Sequence, residues 1–121
     1  SVRSEGWYKV KGKTEEEKQQ LIKDAKAIEA AGAFCMVIEG VKADVAKVVA
    51  ESVSIPVIGI GAGVDVDGQV LVFSDMLGFF EEFTPKFVKK YMDGASLVKN
   101  AVKDYADEVR SKEFPKVEHT Y

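Results

Sequence analysis

Two strand-length apolar runs, residues 33–38 (AFCMVI) and 56–61 (PVIGIG), flank one amphipathic stretch, and that order constrains the fold most. Neither run alternates with polar residues, which is the pattern of a strand shielded on both faces in a parallel sheet. Parallel neighbours need a crossover connection. The stretch at 43–53 supplies it, with Val45, Val48, Val49 and Val53 recurring at helical spacing.

The same reading extends in both directions. Thr14 and Glu17 have capping-box spacing, and Leu21, Ile22, Ala25 and Ile28 then recur on one face. A helix is predicted over 14–31, with Gly32 at the C′ position. Residues 1–13, punctuated by Gly6 and Gly12, read as loop. After PVIGIG comes a glycine- and aspartate-rich turn, GAGVDVDGQ, and then VLVF at 70–73, a third expected strand ending near Asp75. A short helix is expected near 85–92 and a longer one over 95–111, carrying Val98, Ala101, Val102, Tyr105 and Val109 on one side. The fold class is α/β with parallel strands. Three such strands leave two long apolar edges, so a partner or a larger sheet is expected to close them.

Composition removes several classes of function. The chain has 121 residues, 46% apolar and 31% charged, the profile of one globular domain or a piece of a larger one. A net charge of −3 leaves no basic excess for phosphates, so nucleic acid is not an expected partner. No apolar run approaches the ~20 residues that span a bilayer, so no membrane is expected either. Cys35 is the only cysteine and forms no internal disulfide, which points to the cytoplasm.

Several motifs reduce to ordinary structure. GIGAG at 59–63 succeeds a strand, but its spacing is not the dinucleotide fingerprint and it leads into a turn. Its small residues suit close approach of backbone or ligand. Lys9, Lys11 and Lys13, like Lys86, Lys89 and Lys90, read as solvated faces. His119 is the only histidine and, with Glu118 alone beside it, makes no zinc site.

Glu39 is different. It ends an apolar strand, where desolvating a charge is costly. Ligands of parallel α/β folds bind at the carboxyl ends of strands. Glu39, the glycines after Ile58 and Asp75 are expected on one such rim. Glu39 is either a reagent or a strand-end charge bonded to a loop, and Asp75 is either a rim acid or the cap of a turn.

The segments GWYKVKGK, AGAFCMVIEGV, IPVIGIGAG, DGQVLVFSDMLG, TPKFVKKY and FPKVEHTY, in this order, resemble the ketopantoate hydroxymethyltransferase family across nearly the whole chain. IPVIGIGAG followed by DGQVLV carries most of the specificity. Ser74 and Lys42 stand where that family commonly has histidine and proline. The resemblance implies a (β/α)8 TIM barrel about twice this length. Residues 1–121 would form its C-terminal half, the last three strands and the closing helices. The implied reaction transfers a hydroxymethyl group from 5,10-methylenetetrahydrofolate to 3-methyl-2-oxobutanoate, with Mg2+ stabilising an enolate. Glu39 matches the family's proton-abstracting base. The metal ligands are expected in the missing N-terminal half, so no metal-binding residue is assigned here, and no folate-contacting residue either. The expected partners are that half of the barrel, the keto acid and further copies in a homo-oligomer. The rival expectation is a non-catalytic α/β module that binds a partner through its open sheet edges.

Overall fold

The computed structural model describes residues 9–121. Its elements are α1 (Glu15–Ala30), β1 (Met36–Glu39), α2 (Ala43–Glu51), β2 (Val57–Ile60), β3 (Gly68–Gln69), α3 (Phe73–Met76) and α4 (Gly94–Ser111), with a 3-10 turn at Val117–His119. The loop expected over 1–13 lies partly outside the described residues; its remainder, from Lys9, holds no helix and only one bridge, at Lys11. The chain divides into two compact units, residues 1–71 and 72–121.

In the first unit, α1 starts where its cap chemistry places it. Thr14 Oγ1 accepts from Glu17 N–H at 3.1 Å. The Glu17 carboxylate reaches back to Lys13 N–H at 2.7 Å, one residue short of a capping box. Its end is the predicted one: Gly32 has φ +95°. Gly32 and Ala33 donate N–H groups to Glu29 O and Ile28 O, the paired bonds of a Schellman termination. Glu29 then accepts from both the main chain and the hydroxyl of Ser54, tying the end of α1 to the approach to β2.

The sheet has the order β1-β2-β3 and is parallel throughout. Met36 stands beside Val57, Ile38 beside Gly59 and Glu39 beside Ile60. Side chains alternate across a strand. Met36, Ile38 and Val57 therefore point to the face where α1 and α2 lie and join Ala25, Val45, Ala46 and Val49 in the core. Two consecutive helices thus cover the same face of the sheet.

The other face departs from the expectation of strands buried on both sides. Val37 is 61% exposed, against 7% for its neighbour Met36. Apolar continuity along the sequence reported strand length correctly. It did not report that the second cover is supplied by nothing in the described residues of this unit.

The expected third strand is also corrected. Only Gly68 and Gln69 pair with β2, and the last bond is Val70 N–H to Gly59 O at 2.8 Å. Beyond Ile60 the partner strand turns away, so VLVF has nothing left to pair with. Phe73–Met76 instead forms the single helical turn α3, and Asp75 lies within it rather than at a strand end.

In the second unit the helix expected near 85–92 is absent. Val88 N–H closes a turn on Pro85 O. Tyr91, Gly94 and Ala95 spend their N–H groups on Met76, Leu77 and Gly78 carbonyls. A helix of eight residues is marginal without packing, and these non-local bonds outcompete it. The helix expected over 95–111 is present as α4, capped by Asp93, which accepts from Ser96 N–H at 3.3 Å. Its Val98, Val102, Tyr105 and Val109 are all exposed. No helix among the described residues is long and apolar enough to cross a membrane.

Candidate functional site

β1 carries Glu39 to its C-terminal end because Met36–Ile38 is anchored beneath it. Met36 and Ile38 pack into the helix-covered core, and Ile38 pairs with Gly59. Immediately after Glu39, Gly40 donates to Ile60 O at 2.9 Å, which fixes the strand end to β2. Alternation puts the Glu39 side chain on the same face as Val37, the face without helices. The carboxylate is exposed there. Its setting is thus a strand terminus on an apolar but uncovered surface, with Val37, Ile58 and Ile60 as companions on that face.

The residue types suit one task. A carboxylate carried on a rigid strand, with aliphatic neighbours on its face, has the chemistry of a general base. The glycines after β2 serve mainly to pack. Gly63, at φ +83°, approaches α2 so closely that an added Cβ would lie 2.5 Å from Ala43 Cβ. That is the close approach of backbone predicted for GIGAG, and no helix begins there to receive a phosphate.

Asp75 is not brought into this setting by β3: it belongs to α3 in the second unit, half-buried. Among the described residues no group of three or more His, Cys, Asp or Glu side chains is placed to hold a metal ion. His119 Nδ1 accepts from Lys116 N–H at 3.2 Å, and the imidazole packs against the Phe114 ring.

Two clefts stand out among the described residues. One of about 270 Å³ runs along the outer edge of β1 and is lined by Leu21, Ile28, Met36, Val37, Glu39 and Val41 among others. Sequence reasoning missed it, although the exposed Ile28 on the predicted apolar face of α1 belongs to its wall. The other, of about 610 Å³, lies in the second unit between Phe79–Glu82 and the start of α4. It is larger, but its Glu81 carboxylate is held by Lys99 at 2.6 Å and none of the residues singled out as a possible reagent lines it.

A sequence model of the family described as ketopantoate hydroxymethyltransferase matches residues 1–117. The chain belongs to the ketopantoate hydroxymethyltransferase family. It is 81% identical over 121 residues to the 3-methyl-2-oxobutanoate hydroxymethyltransferase of Sulfurimonas denitrificans and covers 46% of that protein. Against the Aliarcobacter butzleri protein of the same name it is 66% identical over 120 residues, covering 45%. Against that of Helicobacter pylori it is 50% identical over 120 residues, covering 44%. The chain therefore spans less than half the length of the curated ketopantoate hydroxymethyltransferase relatives it matches.

Proposed function

We propose that this chain is the C-terminal half of a (β/α)8 barrel that transfers a hydroxymethyl group from 5,10-methylenetetrahydrofolate to 3-methyl-2-oxobutanoate. One observation carries the reading: Glu39 stands at the carboxyl end of a parallel strand, on the one sheet face that α1 and α2 leave uncovered. In a barrel, helices lie on the outer face only and the chemistry gathers at the carboxyl ends of the strands. The uncovered face would be the barrel interior, and residues 1–121 one part of the catalytic domain.

In this reading the Glu39 carboxylate takes the proton from the carbon next to the keto group. The C–H electron pair passes into the new carbon–carbon double bond and leaves the keto oxygen as an enolate oxygen. Water adds to the one-carbon unit of the folate and the unit's two C–N bonds break, releasing tetrahydrofolate and a formaldehyde-level carbon. The enolate carbon attacks that carbon, whose oxygen, derived from the water, takes up the proton and becomes the product hydroxyl. The aliphatic companions of Glu39 would keep solvent from the substrate once the barrel closes, which makes the carboxylate a more effective base. The family resemblance puts the Mg2+ ligands in the part of the barrel outside this chain, where the bound ion would stabilise the enolate oxygen.

The test is incorporation of deuterium from heavy water into 3-methyl-2-oxobutanoate without folate. It uses this chain assembled with the unmatched part of the 81% identical relative. Glu39→Gln keeps the shape of the side chain and removes the basic oxygen, and exchange is expected to fall by roughly 100- to 10,000-fold. Exchange at the wild-type rate in Glu39→Gln would overturn the assignment. An assembled wild-type protein with no exchange would favour the non-catalytic module.

A further inference from the structure

Gln69 lies across the sheet from Glu39. In the register of β2 and β3 it stands beside Gly59, and Gly59 stands beside Ile38. Paired residues of neighbouring strands share a face, so Gln69 is on the side of Ile38 and the covering helices, opposite the face that carries Glu39. Its main chain is fixed there, because the next residue, Val70, donates to Gly59 O at 2.8 Å. A substrate seated against the Glu39 carboxylate would not touch Gln69. Any action of this residue on the reaction runs through the main chain.

The Gln69 side chain reaches back to the loop that follows β2, where its Nε2 donates to Gly63 O at 2.7 Å. Gly63 is pressed on the first residue of α2, since an added Cβ would lie 2.5 Å from Ala43 Cβ. Ala62, one residue earlier, is 1% exposed and belongs to the core. The loop is thus held by Ala62 from below, by Ala43 at its side and by Gln69 at its carbonyl. Ala43 follows closely on Glu39, and the segment between them has little slack. Gly40 donates to Ile60 O at 2.9 Å, and Lys42 donates to Lys11 O at 3.0 Å. A continuous set of contacts therefore runs from Gln69 through Gly63 and Ala43 to the strand end that bears the carboxylate.

We propose that Gln69 is a positioning residue for the proton abstraction assigned to Glu39: its amide staples the loop at 61–63 onto the start of α2 and so fixes the main chain of Glu39 and Gly40. The role rests on Glu39 being the base; the contacts do not. A general base works by placement as well as basicity, and a displacement of about 1 Å can cost on the order of 100-fold in rate. Removing the staple frees the rim without dismantling the sheet. Ala62 stays in the core, and the Asp67 carboxylate still accepts from Val57 N–H at 2.8 Å. The position calls for a donor facing a carbonyl oxygen, which an amide supplies and an ionised carboxylate does not.

Residue-resolved amide exchange on the chain decides the coupling. In Gln69→Leu the Gly40 amide is expected to exchange about tenfold faster, while the Met36 amide, bonded to Pro56 O at the other end of β1, keeps its rate. Equal acceleration of both would show a general loss of stability, and no acceleration would show no coupling; either overturns the proposal. Deuterium incorporation into 3-methyl-2-oxobutanoate by the assembled protein reads the consequence. Gln69→Leu should lower its turnover by about tenfold, with the half-saturating keto-acid concentration moving by less than about twofold. Wild-type turnover would overturn the proposal too. Gln69→Glu keeps the shape of the side chain but presents an acceptor, so it should show the same loss at neutral pH. Below about pH 5 its protonated carboxyl can donate to Gly63 O, and the rate relative to wild type at the same pH should recover. A ratio that stays flat would overturn the staple. If Gln69→Leu does not fold, Gln69→Glu carries the same two measurements. Failure here is separable from failure of the base. Wild-type exchange in Glu39→Gln removes the base and leaves the amide coupling, whereas equal responses of Gly40 and Met36 remove the coupling and leave the base.

Discussion

Glu39 stands directly beside Ile60 in the parallel register of β1 and β2, and the next residue, Gly40, donates to the Ile60 carbonyl at 2.9 Å. The carboxylate is thereby fixed at its root while its side chain stays exposed. Any loosening of β2 or of its attachment to α2 and β3 should be felt at Glu39, and the first two predictions concern those attachments.

Gly63→Ala is expected to destabilise the chain. The residue sits at φ +83°, and its new Cβ would meet Ala43 Cβ at 2.5 Å at the start of α2. Left-handed backbone alone costs about 1–2 kcal/mol for a residue with a Cβ, and the clash adds to it. Denaturant unfolding measures the sum. A midpoint equal to wild type would mean that the turn relaxes away from α2.

Asp67 holds the other side of β2. Its carboxylate accepts from Val57 N–H at 2.8 Å, while its own N–H bonds to Val57 O at 2.9 Å. Asp67→Ala leaves the Val57 amide without that acceptor beside a fully buried side chain, at a cost of about 1–3 kcal/mol. Faster exchange of the Val57 amide should accompany the lower unfolding midpoint. Asp67→Asn retains an acceptor oxygen and should lose less.

Acid should fray α4 from its first turn. Hydrogen bonds from the Ser96 side chain and then its backbone hold the Asp93 carboxyl below its ordinary value of 3.8, with Lys90 and Lys99 adding to the effect. A lowered folded value means that stabilisation is present above pH 3.8 and is lost as the pH falls through the folded value. Helical circular dichroism tracked downward from pH 5 should show a loss in wild type. Asp93→Asn keeps a capping oxygen without the charge and should remove that component.

The tail is held by its aromatic residue. Phe114 meets Tyr105 of α4 edge-on at 5.7 Å between centroids and also packs on His119. Phe114→Ala should release the 3-10 turn at Val117–His119 and cost about 0.5–1.5 kcal/mol. Line broadening of the His119 ring in the nuclear magnetic resonance spectrum would report the release. An unchanged spectrum would show that the Lys116–His119 bond suffices.

The sequence by itself determined the elements whose signals are local. Thr14, Glu17 and Gly32 marked both ends of α1 because capping bonds join residues only three to five apart. The apolar runs marked β1 and β2 and made the sheet parallel, because a strand–helix–strand order leaves little choice of connection. The strand-end position of Glu39 was legible for the same reason, since the apolar run stops there and Gly40 follows.

What only the tertiary structure decided depends on which backbone finds a partner. VLVF has strand composition, yet it pairs no further than Val70 because β2 ends at Ile60. Asp75 accordingly sits in a helical turn and not at a strand end. TPKFVKKY was expected to be a short helix, yet its last amide, Tyr91, and those of Gly94 and Ala95 just beyond it are drawn to the carbonyls of residues 76–78. Three apolar strands announced open sheet edges, but which face and which edge of Val37 and Glu39 stay open has no local sequence signature. Apolar composition records that a surface is meant to be covered, whereas the hydrogen-bond register and the positions of α1 and α2 determine which surface is left open.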